Sequence, residues 1–168
     1  MDLSQGKNVP VNIAEEGVRA PNEDVQTGPA PTILLAEDDV DDTFMMSRAC
    51  ERSGIPHVLQ VVTDGSMAID YLLGKGVYAD RVLYPLPDLI FMDIKMPMQN
   101  GFEVLNVIRA RPDLKKIPVV MLSHSNLRED VDRAYQMGVR SFLWKIPDYG
   151  EFESAIHNIL KYSLEGRH

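Results

Sequence analysis

Residues 89–97, which read Leu-Ile-Phe-Met-Asp-Ile-Lys-Met-Pro, constrain this chain more than any other stretch. Four apolar residues run without alternation into Asp93, and Pro97 follows four positions later. A short run of this kind is what a strand buried on both faces of a parallel sheet looks like. It puts Asp93 at the carboxyl end of the strand, and in open α/β sheets that edge is where ligands bind. A strand-ending acid by itself often only caps the next helix. Its meaning depends on what other strands bring to the same edge.

Further strands are readable at 33–36, 58–62, 118–122 and 141–144. Helices are expected over 42–53, from 65 to about 74, over 102–111, over 127–137 and over 151–162, with Gly54, Gly74, Pro112 and Gly138 as stop signals. The third helix carries Phe102, Leu105 and Ile108 at helical spacing. Five strands, each followed by a helix, imply an α/β domain: a parallel sheet with helices on both faces and right-handed crossovers. Residues 75–87 form a long connection whose Tyr78, Val82, Leu83, Tyr84 and Leu86 are too apolar for a freely solvated loop. They pack over the sheet edge or offer a docking surface. Residues 1–31 hold Pro10, Pro21, Pro29 and Pro31 among polar residues and read as a flexible arm, with Val9, Val11 and Ile13 available to a partner or second subunit. The expected organisation is therefore an arm at 1–31, one domain at 32–162 and a short stub at 163–168.

Composition excludes several classes. At 168 residues and 45% hydrophobic content, the chain is one domain with one substantial core. A formal net charge of −8 argues against nucleic acid and anionic membrane surfaces as partners. No apolar run approaches a membrane span, and the amino terminus lacks the layout of a secretory signal. Cys50 is the single cysteine, cannot form an internal disulfide, and reads as a small buried side chain on the first helix. The cytoplasm is the expected compartment.

Complementary chemistry does collect at the carboxyl edge. The first strand ends in Glu37-Asp38-Asp39, with Asp41 and Asp42 close behind. Asp39, Asp41 or Asp42 suits the cap and dipole of the first helix. Glu37 and Asp38 come directly off the strand and face the edge of Asp93. Such a cluster of hard oxygen ligands suits Mg²⁺. Strand four ends in Ser123, followed by His124 and Ser125, and strand five ends in Lys145. Three carboxylates, a hydroxyl and an ammonium from four strand ends make a phosphoryl-transfer site, in which a carboxylate attacks phosphorus while hydroxyl and cation hold the oxygens.

The runs ILLAEDD, FMDIKMPMQNGFEVL, IPVVMLSHS and FLWK resemble the receiver domains of two-component response regulators in chemistry, order and spacing over residues 32–162. The resemblance implies a flavodoxin-like doubly wound sheet in the order 2-1-3-4-5. It also implies that Asp93 is the phosphoacceptor, and that Glu37, Asp38, Asp93 and the main-chain carbonyl of Lys95 hold Mg²⁺. Ser123 takes the place of the switch hydroxyl, Lys145 that of the phosphoryl-pairing lysine, Phe142 that of the switch aromatic, and Gly101 that of the turn glycine. Two positions depart from the family pattern: Ile146 intervenes between Lys145 and Pro147, and His124 stands where a small residue is common. The implied function is a single-domain regulator, not an enzyme, that accepts phosphate from a histidine kinase and signals through its fourth helix, fifth strand and fifth helix. The long approach to strand three and the missing Lys-Pro are similar to regulators paired with phytochrome-type histidine kinases. Homodimer formation is a further expectation. The alternative is a receiver-fold scaffold that docks a kinase or partner without phosphorylation. An aspartyl-nucleophile phosphatase is disfavoured, because Lys95 stands where its second aspartate would be.

Overall fold

The computed structural model describes residues 28–165, so most of the expected arm and the last three residues lie outside the described residues. Five strands, β1 (Thr32–Ala36), β2 (Val58–Val62), β3 (Leu89–Asp93), β4 (Val119–Ser123) and β5 (Ser141–Trp144), form one parallel sheet in the order β2-β1-β3-β4-β5. Helices α1 (Val40–Arg52), α2 (Gly65–Leu73), α3 (Gly101–Ala110), α4 (Arg128–Gln136) and α5 (Tyr149–Leu164) follow the strands in turn.

The unbroken apolar runs exist because helices cover both faces. Ile33, Leu35, Leu89, Phe91, Val120 and Leu122 face α1 and α5, where they meet Met46, Ala49, Cys50, Phe152, Ile156 and Leu160. Their neighbours Leu34, Ala36, Ile90, Met92, Val119 and Met121 point the other way, into a core with Tyr71 and Leu72 of α2, Phe102, Leu105 and Ile108 of α3 and Ala134 of α4. Successive strand residues thus serve opposite cores, as the two-residue strand period requires. The edge strands β2 and β5 are the exceptions, with Val58, Val61 and Trp144 exposed.

Two helices differ from the expected spans by two residues at one end or more. Helix α1 starts at Val40 rather than 42, because the Asp39 carboxylate accepts a hydrogen bond from the Asp42 amide at 2.9 Å and caps it. Helix α5 starts at Tyr149 behind the Asp148 cap and runs to Leu164, not Tyr162. Ser163 and Leu164 are buried, so they continue the helix where a stub was expected.

The connection before β3 divides its apolar residues between packing and exposure. A single 3₁₀ turn at Gly76–Tyr78 follows α2. Tyr71, Tyr78 and Tyr84 form a ring cluster with centroids 5.1–6.0 Å apart. Arg81 fastens this cluster by donating to the Tyr71, Leu72 and Tyr84 carbonyls at 2.8, 2.9 and 3.1 Å. Val77, Val82 and Leu83 remain exposed.

Candidate functional site

Strand register decides which side chains meet. Ala36 of β1 is level with Met92 of β3, so the next residues, Glu37 and Asp93, leave adjacent strands side by side. On the other flank Asp93 is level with Leu122, and Ser123 with Trp144, which brings Ser123 and Lys145 to the same end. The Lys145 amide donates to the Ser123 carbonyl at 2.8 Å and extends that ladder by one step. Gly101 allows the chain to turn sharply behind Asp93: its amide donates to the Ile94 carbonyl at 2.9 Å, and any Cβ there would collide with the Asp93 carbonyl.

Glu37, Asp38 and Asp93 each present a carboxylate oxygen, and the three oxygens lie within 4.8 Å of one another. Glu37 is fully buried and Asp93 nearly so, while Asp38 is exposed. Three hard anionic oxygens converging in this way, one open to solvent, fit a divalent cation that keeps some of its waters. The Lys95 amide donates to Asp93 Oδ1 at 3.4 Å, so the loop after β3 curls back over the carboxylate.

Lys145 supplies the positive charge. Its ammonium lies 2.5 Å from Glu37 Oε2, 2.8 Å from Asp42 Oδ2 and 3.3 Å from Asp93 Oδ2, with 6% of the side chain exposed. Burial alone would pull this ammonium down, but its hydrogen bonds to Asp42 and Glu37 outweigh burial and hold it above the ordinary lysine range. For Glu37 the balance goes the other way. Burial and the neighbouring Asp93 charge overcome the hydrogen bond from Lys145, and the carboxyl is pushed up to about 7. The peptide bond after Lys145 is trans.

Ser123 is buried, and its Oγ accepts from the Ser125 amide at 3.0 Å. Phe142 is half-buried against the core under α2, α3 and α4 and stands outside the carboxylate cluster. His124 is mostly exposed, yet its Nε2 is 2.6 Å from Asp42 Oδ2, and its carbonyl accepts from Trp144 Nε1 at 3.1 Å. Asp42 thus belongs to the site, a place the sequence reading did not give it. Burial raises its carboxyl, but hydrogen bonds from Lys145 and His124 outweigh that and hold it below the ordinary range. The available signal was position: Asp42 lies in the first turn of a helix that begins at the site's own edge.

The family model for the response regulator receiver domain matches residues 33–157, most of the chain. The chain belongs to that family. It is 34% identical over 140 residues to the response regulator Rcp1 of Synechocystis, covering 83% of this chain and 93% of Rcp1. Among solved structures, the phosphorylated cyanobacterial phytochrome response regulator RcpA superposes with a TM-score of 0.76 at 32% identity, over 83% of this chain and 98% of RcpA. The Mn²⁺-bound form of Rcp1 gives 0.74 at 33% identity, over 82% of this chain and 97% of that one. This receiver domain is therefore a response regulator homologous to phytochrome response regulators, within a family of signalling domains. Its fold has the strand order that the family resemblance implied, and its acidic pocket is of the kind that takes a divalent metal.

Proposed function

We propose that this receiver domain accepts a phosphoryl group on Asp93 from the phosphohistidine of a histidine kinase. The observation that carries the reading is the convergence of Glu37, Asp38, Asp93 and Lys145 on one strand-end cluster. An Asp93 carboxylate oxygen forms a bond to phosphorus as the P–N bond of the donor breaks, and the electron pair of that bond stays on the imidazole nitrogen. Glu37, Asp38, Asp93 and the Lys95 carbonyl would hold a divalent cation such as Mg²⁺, which would supply positive charge against the negative charge that gathers there. Lys145 then pairs with the phosphoryl oxygens, and the Ser123 hydroxyl leaves the Ser125 amide to turn toward them. Phe142 follows that hydroxyl, which biases the surface of α4, β5 and α5.

The kinase is of the phytochrome type, a reading supported by 32–34% identity to Rcp1 and RcpA. The domain works in the cytoplasm as a signalling module without enzymatic turnover of its own, forms homodimers, and uses neither nucleic acid nor membrane as a partner. The net charge of −8 weighs against nucleic acid and anionic membrane surfaces as partners; among the described residues no helix is long and apolar enough to cross a membrane.

Incubation with phosphoramidate and Mg²⁺ tests the acceptor. Label is expected on the wild type and not on Asp93→Asn, and equal labelling of the two rejects the assignment. A wild type that binds its kinase yet takes no label from either donor would instead be a phosphorylation-independent scaffold.

A further inference from the structure

Asp42 holds none of the roles above, yet it lies at a junction within the site. Its Oδ2 is 2.8 Å from the Lys145 ammonium and 2.6 Å from His124 Nε2, with 12% of the side chain exposed. It is not needed to start α1, because the Asp39 carboxylate caps that helix through the Asp42 amide.

The three distances around Lys145 show where this lysine stands. Its contacts to Glu37 and Asp42, at 2.5 and 2.8 Å, are shorter than its 3.3 Å approach to Asp93. An ammonium has three N–H groups, and here each has a carboxylate to face. A phosphoryl group on Asp93 would bring further anionic oxygens to this ammonium, whose three N–H groups already face carboxylates, so pairing with it requires one of the present contacts to loosen. Glu37 is fully buried behind it, and Asp42 sits at the rim. His124 fixes the Asp42 carboxylate in this position by holding the same oxygen from the loop after β4.

We propose that Asp42 is a positioning residue that restrains phosphorylation by competing with the phosphoryl group for the Lys145 ammonium, with His124 orienting its carboxylate. The proposal rests on Asp93 being the phosphoacceptor. Asp42 thereby favours the unphosphorylated state and sets how much donor is needed to fill the site.

The test uses the full chain with Mg²⁺ and phosphoramidate, comparing wild type, Asp42→Ala and Asp42→Asn after circular dichroism has checked folding. Asp42→Ala should lower the donor concentration for half-maximal labelling about three- to tenfold, the order of coupling within a charged network. Asp42→Asn keeps the side-chain shape, should move the same way by a smaller factor, and decides the matter alone if the alanine variant does not fold. In a Lys145→Ala background the effect of removing Asp42 should fall to within about twofold, which a role only in folding would not produce. An unchanged or raised half-saturation overturns the proposal, as does full additivity with Lys145→Ala. A wild type that takes no label removes the acceptor reading, and this proposal with it. A labelled wild type with unresponsive Asp42 variants removes the proposal alone.

Discussion

Lys145 and Glu37, 108 residues apart in sequence, form an ion pair at 2.5 Å with the carboxylate fully buried and the ammonium nearly so. Breaking a buried pair from one side leaves a charge without water or partner, which typically costs about 3–5 kcal/mol. Lys145→Met should therefore destabilise the domain by about that amount at pH 8, read by urea unfolding. Because Glu37 already takes up a proton near pH 7, the loss should be smaller at pH 5. Adding Glu37→Gln to Lys145→Met should restore part of the stability, and an additive double variant would count against the pairing.

Metal binding should depend on pH through the same carboxyl. Glu37 is raised from 4.5 to about 7 by burial first and the Asp93 charge second. Its folded pKa lies above its unfolded one, so its contribution to stability is full below about pH 4.5 and is lost as pH rises through about 7. A cation needs the ionised carboxylate and competes with that proton. Mg²⁺ affinity should accordingly climb between pH 5.5 and about 7.5 and level off above. Trp144, the chain's single tryptophan, borders the site through its hydrogen bond to the His124 carbonyl and offers a fluorescence readout of the titration. An affinity that is flat across this range would contradict the raised Glu37.

Much of the fold was legible because its signals are local. Strand β3 declares itself by four apolar residues ending on Asp93, and Gly74 stops α2 in a left-handed C-cap at φ 65°. The strand order came through the family resemblance and is the order observed. The clustering of Glu37, Asp38, Asp93 and Lys145 could be anticipated because each lies at a strand end or within two residues of one. Asp42 could not be placed the same way. It lies six residues past β1, inside α1, and it or either of the neighbouring acids would have served equally well as a helix cap. The end of α5 was obscured by Tyr162, whose exposed ring masks the buried Ser163 and Leu164 beyond it.

The connection between α2 and β3 should prove ordered, and Arg81 is the residue on which that order depends. Its guanidinium ties the Tyr71 and Leu72 carbonyls at the end of α2 to the Tyr84 carbonyl. Tyr71 adds a second tie by donating its hydroxyl to the Pro85 carbonyl at 2.8 Å. Arg81→Ala removes a charged donor from three carbonyls and should cost about 2 kcal/mol. The loss should be local, so limited proteolysis should cut within residues 75–87 well before the remaining chain unfolds. Resistance equal to wild type would show that the tyrosine cluster suffices alone.

Cys50 should behave as a packing residue. Its thiol is fully buried on α1 against the sheet, and burial pushes its pKa from 9.0 up to about 12. Thiolate is the reactive form, so a disulfide reagent at pH 8 should label the folded protein only as fast as it unfolds, and label it at once in urea. The folded pKa lies above the unfolded one. This group's contribution to stability is therefore complete below pH 9 and lost as pH rises toward 12. Rapid labelling of the folded chain would contradict this burial.

Gly101 links the fold to the chemistry most directly. A Cβ at this position would collide with the Asp93 carbonyl and lie 3.0 Å from Met121 Cε. The methionine end can shift, but the carbonyl belongs to the buried strand that carries the carboxylate. Gly101→Ala should consequently destabilise the domain by about 1–3 kcal/mol, the range for overpacking a tight site. It should also displace Asp93 relative to Glu37 and Lys145, because relieving the clash moves the backbone at the end of β3. Phosphoramidate labelling should then fall more steeply than the folded fraction does. Labelling that merely follows the folded fraction would mean that the turn supports stability without setting the acceptor's geometry.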